Sequence, residues 1–200
     1  LNRANTQLKE QPQLKSKIDT ALASAKLEYG CNVKVKHVAE VLFDEFQDET
    51  FNSKVINPLK DLKVAPYYGC QLVRPGYGFD TYEYPQSLDF MIGKLGAEAV
   101  PFPLKSRCCG GSLIISEEDI ALGLIAKLLG NAKENGAHCI ITPCPLCQLN
   151  LDAYQSKINK KFKTRFDLPI LYFTQLIGVA LGLKSKSLAL EKNIVSPKKV

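Results

Sequence analysis

Five cysteines constrain this chain more than any other feature. They run as Cys70, then after 37 residues the vicinal pair Cys108-Cys109, then after 34 more Cys144-x-x-Cys147. Cys70 and Cys144 each stand just past a strand-like apolar run, Val64 to Tyr68 and Cys139 to Thr142. Any fold must therefore place three distant loops, each with a strand before it, where their thiols can act together.

The pattern between these loops says how. From Lys60 onward, strand-like and helix-like segments alternate: strand Val64 to Tyr68, helix Ser87 to Leu95, strand Ala97 to Pro101, helix from about Glu117 to Asn135, strand Cys139 to Thr142, helix from Pro145 to about Asn159, strand Pro169 to Phe173, helix Leu176 to Leu181. Strands joined by helical crossovers predict an α/β fold, a parallel sheet flanked by helices on both faces. In such sheets, sites form at the carboxyl ends of the strands, so the five thiols are expected at one sheet edge.

The first sixty residues differ. Up to Leu27 they are rich in Gln, Lys and Ala, with Leu8, Leu14, Ile18 and Leu22 at helical spacing, which predicts two helical segments interrupted near Pro12. A short strand, Asn32 to Lys36, and a helix from about Val38 to Phe46 are expected next. Residues 1–60 thus read as an N-terminal helical arm, 61–183 as a cysteine-rich domain, and 184–200 as a basic, flexible tail.

A chain of 200 residues, 46% hydrophobic, buries enough surface to fold without disulfides. Seven cysteines are also an odd number, which cannot pair fully within one molecule. A reducing compartment, the cytoplasm, and a metal or redox site are the better reading. The start Leu1-Asn2-Arg3-Ala4-Asn5 carries no secretion signal. The only methionine is Met91, so a fragment or processed chain is expected. The apolar stretch Leu168 to Leu183 is broken by Thr174, Gln175 and two glycines, which argues against a transmembrane segment. A formal charge of +6 is scattered, and the run Lys157, Lys160, Lys161, Lys163, Arg165 reads as a solvated helix end rather than a nucleic-acid surface.

A zinc site takes four ligands in two tight pairs. Five thiols with a vicinal pair exceed that, and favour an iron–sulfur cluster that shares ligands among several irons, with structural zinc as the alternative. Pro145 suits the first turn of a helix, which puts Cys144 at the helix N-terminus, where amides and dipole stabilise thiolate. Gly110 and Gly111 let backbone amides approach a bound group closely. Lys105 and Arg107 are either charge partners of the site or ordinary surface charge. Cys31 and Cys139 read as small buried hydrophobes. His37 and His138 read as capping or packing residues, and no residue is singled out as catalytic.

The segments Tyr67-Tyr68-Gly69-Cys70-Gln71, Ser106-Arg107-Cys108-Cys109-Gly110-Gly111-Ser112 and Thr142-Pro143-Cys144-Pro145-Leu146-Cys147-Gln148 together resemble the cysteine-rich CCG domain of the heterodisulfide reductase B-subunit family, over nearly the whole chain. The resemblance implies a Rossmann-like domain in which Cys70, Cys108, Cys109, Cys144 and Cys147 hold a noncubane [4Fe-4S] cluster. It implies an oxidoreductase subunit that reduces a disulfide or passes electrons beside iron–sulfur and flavoprotein partner subunits, of heterodisulfide reductase type or in a succinate/fumarate or lactate oxidoreductase. Through such partners it would lie peripherally at a membrane. Family members carry two repeats and this chain one, its start resembling the helix after the first repeat. The chain is thus expected to be the second repeat, inactive without the missing N-terminal one.

Overall fold

The structure is a computed structural model that describes residues 2–74, 79–198 and 200. Leu1, with which the expected arm begins, and Lys199, within the expected tail, lie outside the described residues. The chain divides into two compact units, Leu1–Val41 and Leu42–Val200.

In the first unit, α1 (Asn2–Glu10) and α2 (Pro12–Ser24) follow one another, with Pro12 opening α2 because its missing N–H is harmless there. The strand expected at Asn32 to Lys36 does not form; these residues are irregular. Side chains of α1 satisfy their carbonyls instead. The Asn5 amide donates to the Val33 carbonyl at 2.7 Å and the Asn2 amide to the Val35 carbonyl at 3.3 Å. His37 Nδ1 accepts the Ala39 amide at 3.0 Å, a capping role at the start of α3 (Val38–Phe46), and burial holds its imidazole below the usual range.

The second unit is built on a four-stranded parallel sheet in the order β2-β1-β3-β4. The strands are β1 (Lys63–Pro66), β2 (Glu98–Ala99), β3 (Cys139–Thr142) and β4 (Ile170–Tyr172). Between them run α4 (Gly69–Leu72), α5 (Ser87–Lys94), α6 (Glu118–Glu134), α7 (Pro145–Ala153) and α8 (Gln155–Phe162), with α9 (Phe173–Ala180) last. After β1 the chain leaves to one side for β2, then crosses back to β3 on the other. The gap between β1 and β3 is therefore the point where connections diverge, where α/β sheets open a crevice. Register follows: Val64 faces Cys139 and Pro66 faces Ile141, while Thr142 faces Tyr172.

One core cluster holds Ala65, Ile140 and Ile170 of the sheet against Leu122, Ile125 and Leu129 of α6, Leu151 of α7 and Ile158 of α8. Each of these leucine and isoleucine side chains contributes about 1.5–3 kcal/mol when fully buried. Cys109 and Cys147 belong to the same cluster, so the candidate site is continuous with the core. The helix expected from Pro145 to about Asn159 is broken at Tyr154. Just beyond, the buried amide of Gln155 bonds the Leu151 carbonyl at 3.1 Å and the Leu168 carbonyl at 2.7 Å and accepts the Leu168 amide at 3.0 Å, binding the helix to the approach to β4.

Within the segment read as a basic, flexible tail, three residues bond back to α7 and β4. The Asp152 carboxylate accepts the amides of Ile194 and Val195 at 2.7 and 3.0 Å, and Asn193 Nδ2 donates to the Ile170 carbonyl at 2.6 Å. These partners are distant in sequence, so composition alone misses them. The basic run on α8 pairs with acidic residues opening α6, Lys157 with Glu118 at 2.6 Å and Lys161 with Asp119.

Candidate metal centre

Three loops at the carboxyl ends of β1, β2 and β3 carry the cysteines. After β1, Tyr67 and Tyr68 are fully buried, and Gly69 turns the chain with φ +69° into α4, which presents Cys70. A Cβ at Gly69 would lie 3.1 Å from Cys147 Sγ, so glycine serves both the turn and the approach of the two loops. After β2, a long loop carries Lys105, Arg107, Cys108 and Cys109. Gly110 follows at φ +73°, where a Cβ would stand 3.0 Å from the Ala121 Cα. The demand for glycine there comes from the turn and from packing on α6.

After β3, the Thr142 hydroxyl accepts the Cys144 amide at 3.3 Å. Cys144 is the N-cap of α7, with Pro145 in the first turn, and its Sγ accepts the Cys147 amide at 3.4 Å. This is the arrangement that the Cys-Pro pair predicts.

All seven cysteines are free thiols. Cys109 and Cys147 share a hydrogen bond with their sulfurs 3.6 Å apart, close to the roughly 3.8 Å between two thiolates that each lie about 2.3 Å from one metal. Cys147 neighbours Cys144 in turn, its amide bonded to the Cys144 sulfur, and Cys70 lies beside Cys108. Among the described residues, no three His, Cys, Asp or Glu side chains stand around the single point that one metal ion needs. Cys109 and Cys147 are buried, Cys70 and Cys144 half-buried and Cys108 exposed. The five thus differ widely in their access to solvent.

Hydrogen bonding sets the charges. The Cys147 thiol, the Gly111 amide, Asn150 and Tyr67 together lower the Cys109 thiol to about 6. The Cys147 thiol and the amides of Cys147 and Leu146 lower Cys144 to about 6. Held between these two thiolates, Cys147 is pushed far up and keeps its proton. A metal binding here releases that proton. Burial, then Cys108, raises Cys70. Burial also pushes Cys139 to about 12; it is fully buried at the opposite end of β3. Cys31, in the first unit, is buried too.

Several residues that shape the site carry no signal in isolation. The Tyr67 hydroxyl donates to the Arg107 carbonyl at 2.7 Å, and burial, followed by the nearby cysteines, keeps it a phenol. Asn150 Nδ2 donates to the Cys109 carbonyl at 2.9 Å; its position three residues after Cys147 on α7 is the one clue to it in the sequence. Of the two basic candidates, Arg107 is exposed. Lys105 is buried, with Nζ 3.2 Å from Asp89 Oδ2, and so is neither surface charge nor a free cation beside the sulfurs.

A family model described as "Cysteine-rich domain" (CCG) matches residues 64–152. The chain is 36% identical over 188 residues to the 8-methylmenaquinol:fumarate reductase membrane anchor subunit of Wolinella succinogenes, covering 93% of this chain and 66% of that protein. It is 33% identical over 196 residues to the B-subunit of the ferredoxin/F(420)H(2)-dependent CoB-CoM heterodisulfide reductase of Methanosarcina acetivorans, covering 96% of this chain and 65% of that one. The chain thus spans just under two thirds of the length of these curated relatives. A crystal structure of a hypothetical protein from Helicobacter pylori superposes with a TM-score of 0.77 at 18% identity, covering 99% of this chain and 36% of that one. It bears on the fold alone. Among the described residues no helix is long and apolar enough to cross a membrane.

Proposed function

The chain belongs to the CCG cysteine-rich family, homologous over most of its length with the heterodisulfide reductase B-subunit and the fumarate reductase anchor subunit, and on that premise we propose that it is an iron–sulfur electron-transfer subunit of an oxidoreductase complex. In this reading Cys70, Cys108, Cys109, Cys144 and Cys147 hold a noncubane [4Fe-4S] cluster. The observation that carries it is the close pair of buried thiols, Cys109 and Cys147, with Cys144 bonded beside it, on loops that follow the carboxyl ends of the parallel strands.

Such a cluster supplies one-electron steps and an iron able to take a substrate sulfur. The protein's own groups do the rest. Cys109 and Cys147 anchor the group to the core, and the N-terminus of α7 offers its amides and positive dipole end to sulfur at Cys144. Tyr67, Asn150 and the Gly110 amide, which donates to Cys108 Sγ at 3.3 Å, fix the orientation of the Cys108-Cys109 loop. Reducing a disulfide takes two electrons and two protons; the electrons come singly from partner proteins bearing iron–sulfur clusters or flavin, and solvent at the exposed Cys108 edge supplies the protons.

The test is metal analysis of the anaerobically purified and reconstituted chain. Brown protein with about four irons per chain, matching acid-labile sulfide and a paramagnetic signal on oxidation or reduction supports the proposal. A colourless protein with stoichiometric zinc overturns it.

A further inference from the structure

We propose that Lys105 is a positioning residue that sets the separation of Cys70 from Cys108, an inference that rests on the cluster reading for its purpose but not for its geometry. Lys105 is 1% exposed, a burial that a lysine rarely reaches without a reason. Its ammonium lies 3.2 Å from each Asp89 oxygen and 3.9 Å from the centre of the Tyr84 ring. The Tyr68 hydroxyl donates to Asp89 Oδ2 at 2.7 Å and accepts the Leu88 amide, also at 2.7 Å. The Lys105 carbonyl in turn accepts the amides of Tyr68 and Gly69 at 2.9 and 3.2 Å.

One residue thus grips the β1 loop twice, through its main chain and, by way of Asp89, through its side chain. Cys70 comes one residue beyond the gripped Gly69, and Cys108 three residues beyond Lys105. An ion pair such as this one, its lysine buried and its aspartate half-buried, is weak support for stability, because well-packed apolar side chains of similar volume often do as well. What such a pair supplies is a fixed geometry, and this one ties the loop that carries Cys70 to the loop that carries Cys108. The third loop is held by its own cap at Cys144 and does not depend on it.

The full chain, free of metal, is treated with diamide, which takes the two electrons and two protons released as two thiols join. Peptide mass mapping then measures the Cys70–Cys108 disulfide relative to the Cys144–Cys147 disulfide. In Lys105→Met the first yield should fall severalfold while the second stays. Lys105→Arg, which keeps the carboxylate pairing, should retain both. Reconstituted Lys105→Met should then hold iron about tenfold more weakly, as expected when a supporting contact of a metal ligand is lost. If Lys105→Met does not fold by circular dichroism, Lys105→Met combined with Asp89→Leu, which leaves no unpaired buried charge, decides by the same ratio. An unchanged ratio in a folded variant, or a wild-type chain that forms no Cys70–Cys108 disulfide, overturns the proposal. A wild-type chain that forms the disulfide but takes up no iron overturns the cluster reading and leaves the positioning role standing.

Discussion

The loop after β3 and the loops after β1 and β2 bring cysteines to the same edge by opposite means. In the first, everything needed lies within six residues: Thr142 receives the Cys144 amide, Cys144 receives the Cys147 amide, and Pro145 begins α7. In the others, Cys70 and Cys108 depend on a lysine, an aspartate and a tyrosine from three segments. A self-contained loop is rigid wherever α7 is seated. A loop held by remote side chains is only as well placed as its supports.

The strongest test of this contrast is Cys109→Ala, which removes the thiol beside Cys147 and should abolish iron binding, while circular dichroism shows the fold kept. Iron retained at wild-type stoichiometry would mean that the two sides are not joined through Cys109. Next in size is Leu151→Ala. Leu151 is a fully buried residue of α7, and its truncation should cost about 2–5 kcal/mol in denaturant melts of the metal-free chain. If the Cys144 cap is self-contained, Cys144 labelling should nevertheless stay unchanged below the transition.

The thiols themselves offer a third test. In the metal-free chain Cys144, lowered to about 6, is thiolate at pH 7, whereas Cys70, raised by burial, is almost wholly protonated. Iodoacetamide should label Cys144 on the order of tenfold faster, the gain in thiolate outweighing its lower intrinsic nucleophilicity. The gap should narrow as pH rises towards the Cys70 value, and equal rates at pH 7 would remove the electrostatic side of the comparison. The smallest effect is expected from Lys157→Met. It breaks an exposed pair with Glu118 worth at most about 1 kcal/mol, and should leave both labelling rates alone.

The same contrast decides what the sequence reveals. The parallel sheet and the cap at Cys144 are legible because their signals are local: apolar runs, a Cys-Pro pair, spacing along a helix. The strand expected at Asn32 to Lys36 rests on only five residues, whose Val33 and Val35 carbonyls accept side-chain amides of Asn5 and Asn2 instead of pairing in a ladder. Lys105 reads as either a charge partner of the site or ordinary surface charge because Asp89, its partner, lies sixteen residues away with nothing in the spacing to join them. Tyr67 and Gly69 sit inside a visible motif, yet their roles, a donor to the Arg107 carbonyl and a gap beside Cys147, appear only once three loops are assembled.

The returning C-terminal segment has a consequence for solubility. A sheet edge with free amides and carbonyls is a template on which another chain can add a strand. Here β2 is two residues long, too short to recruit one. At the other edge Asn193 occupies the Ile170 carbonyl of β4, held there by the grip of Asp152 on the next two amides. Cutting the chain before Leu190 should therefore uncover β4 and make the protein self-associate with rising concentration, visible as a concentration-dependent shift in sedimentation, even though every cysteine remains in place.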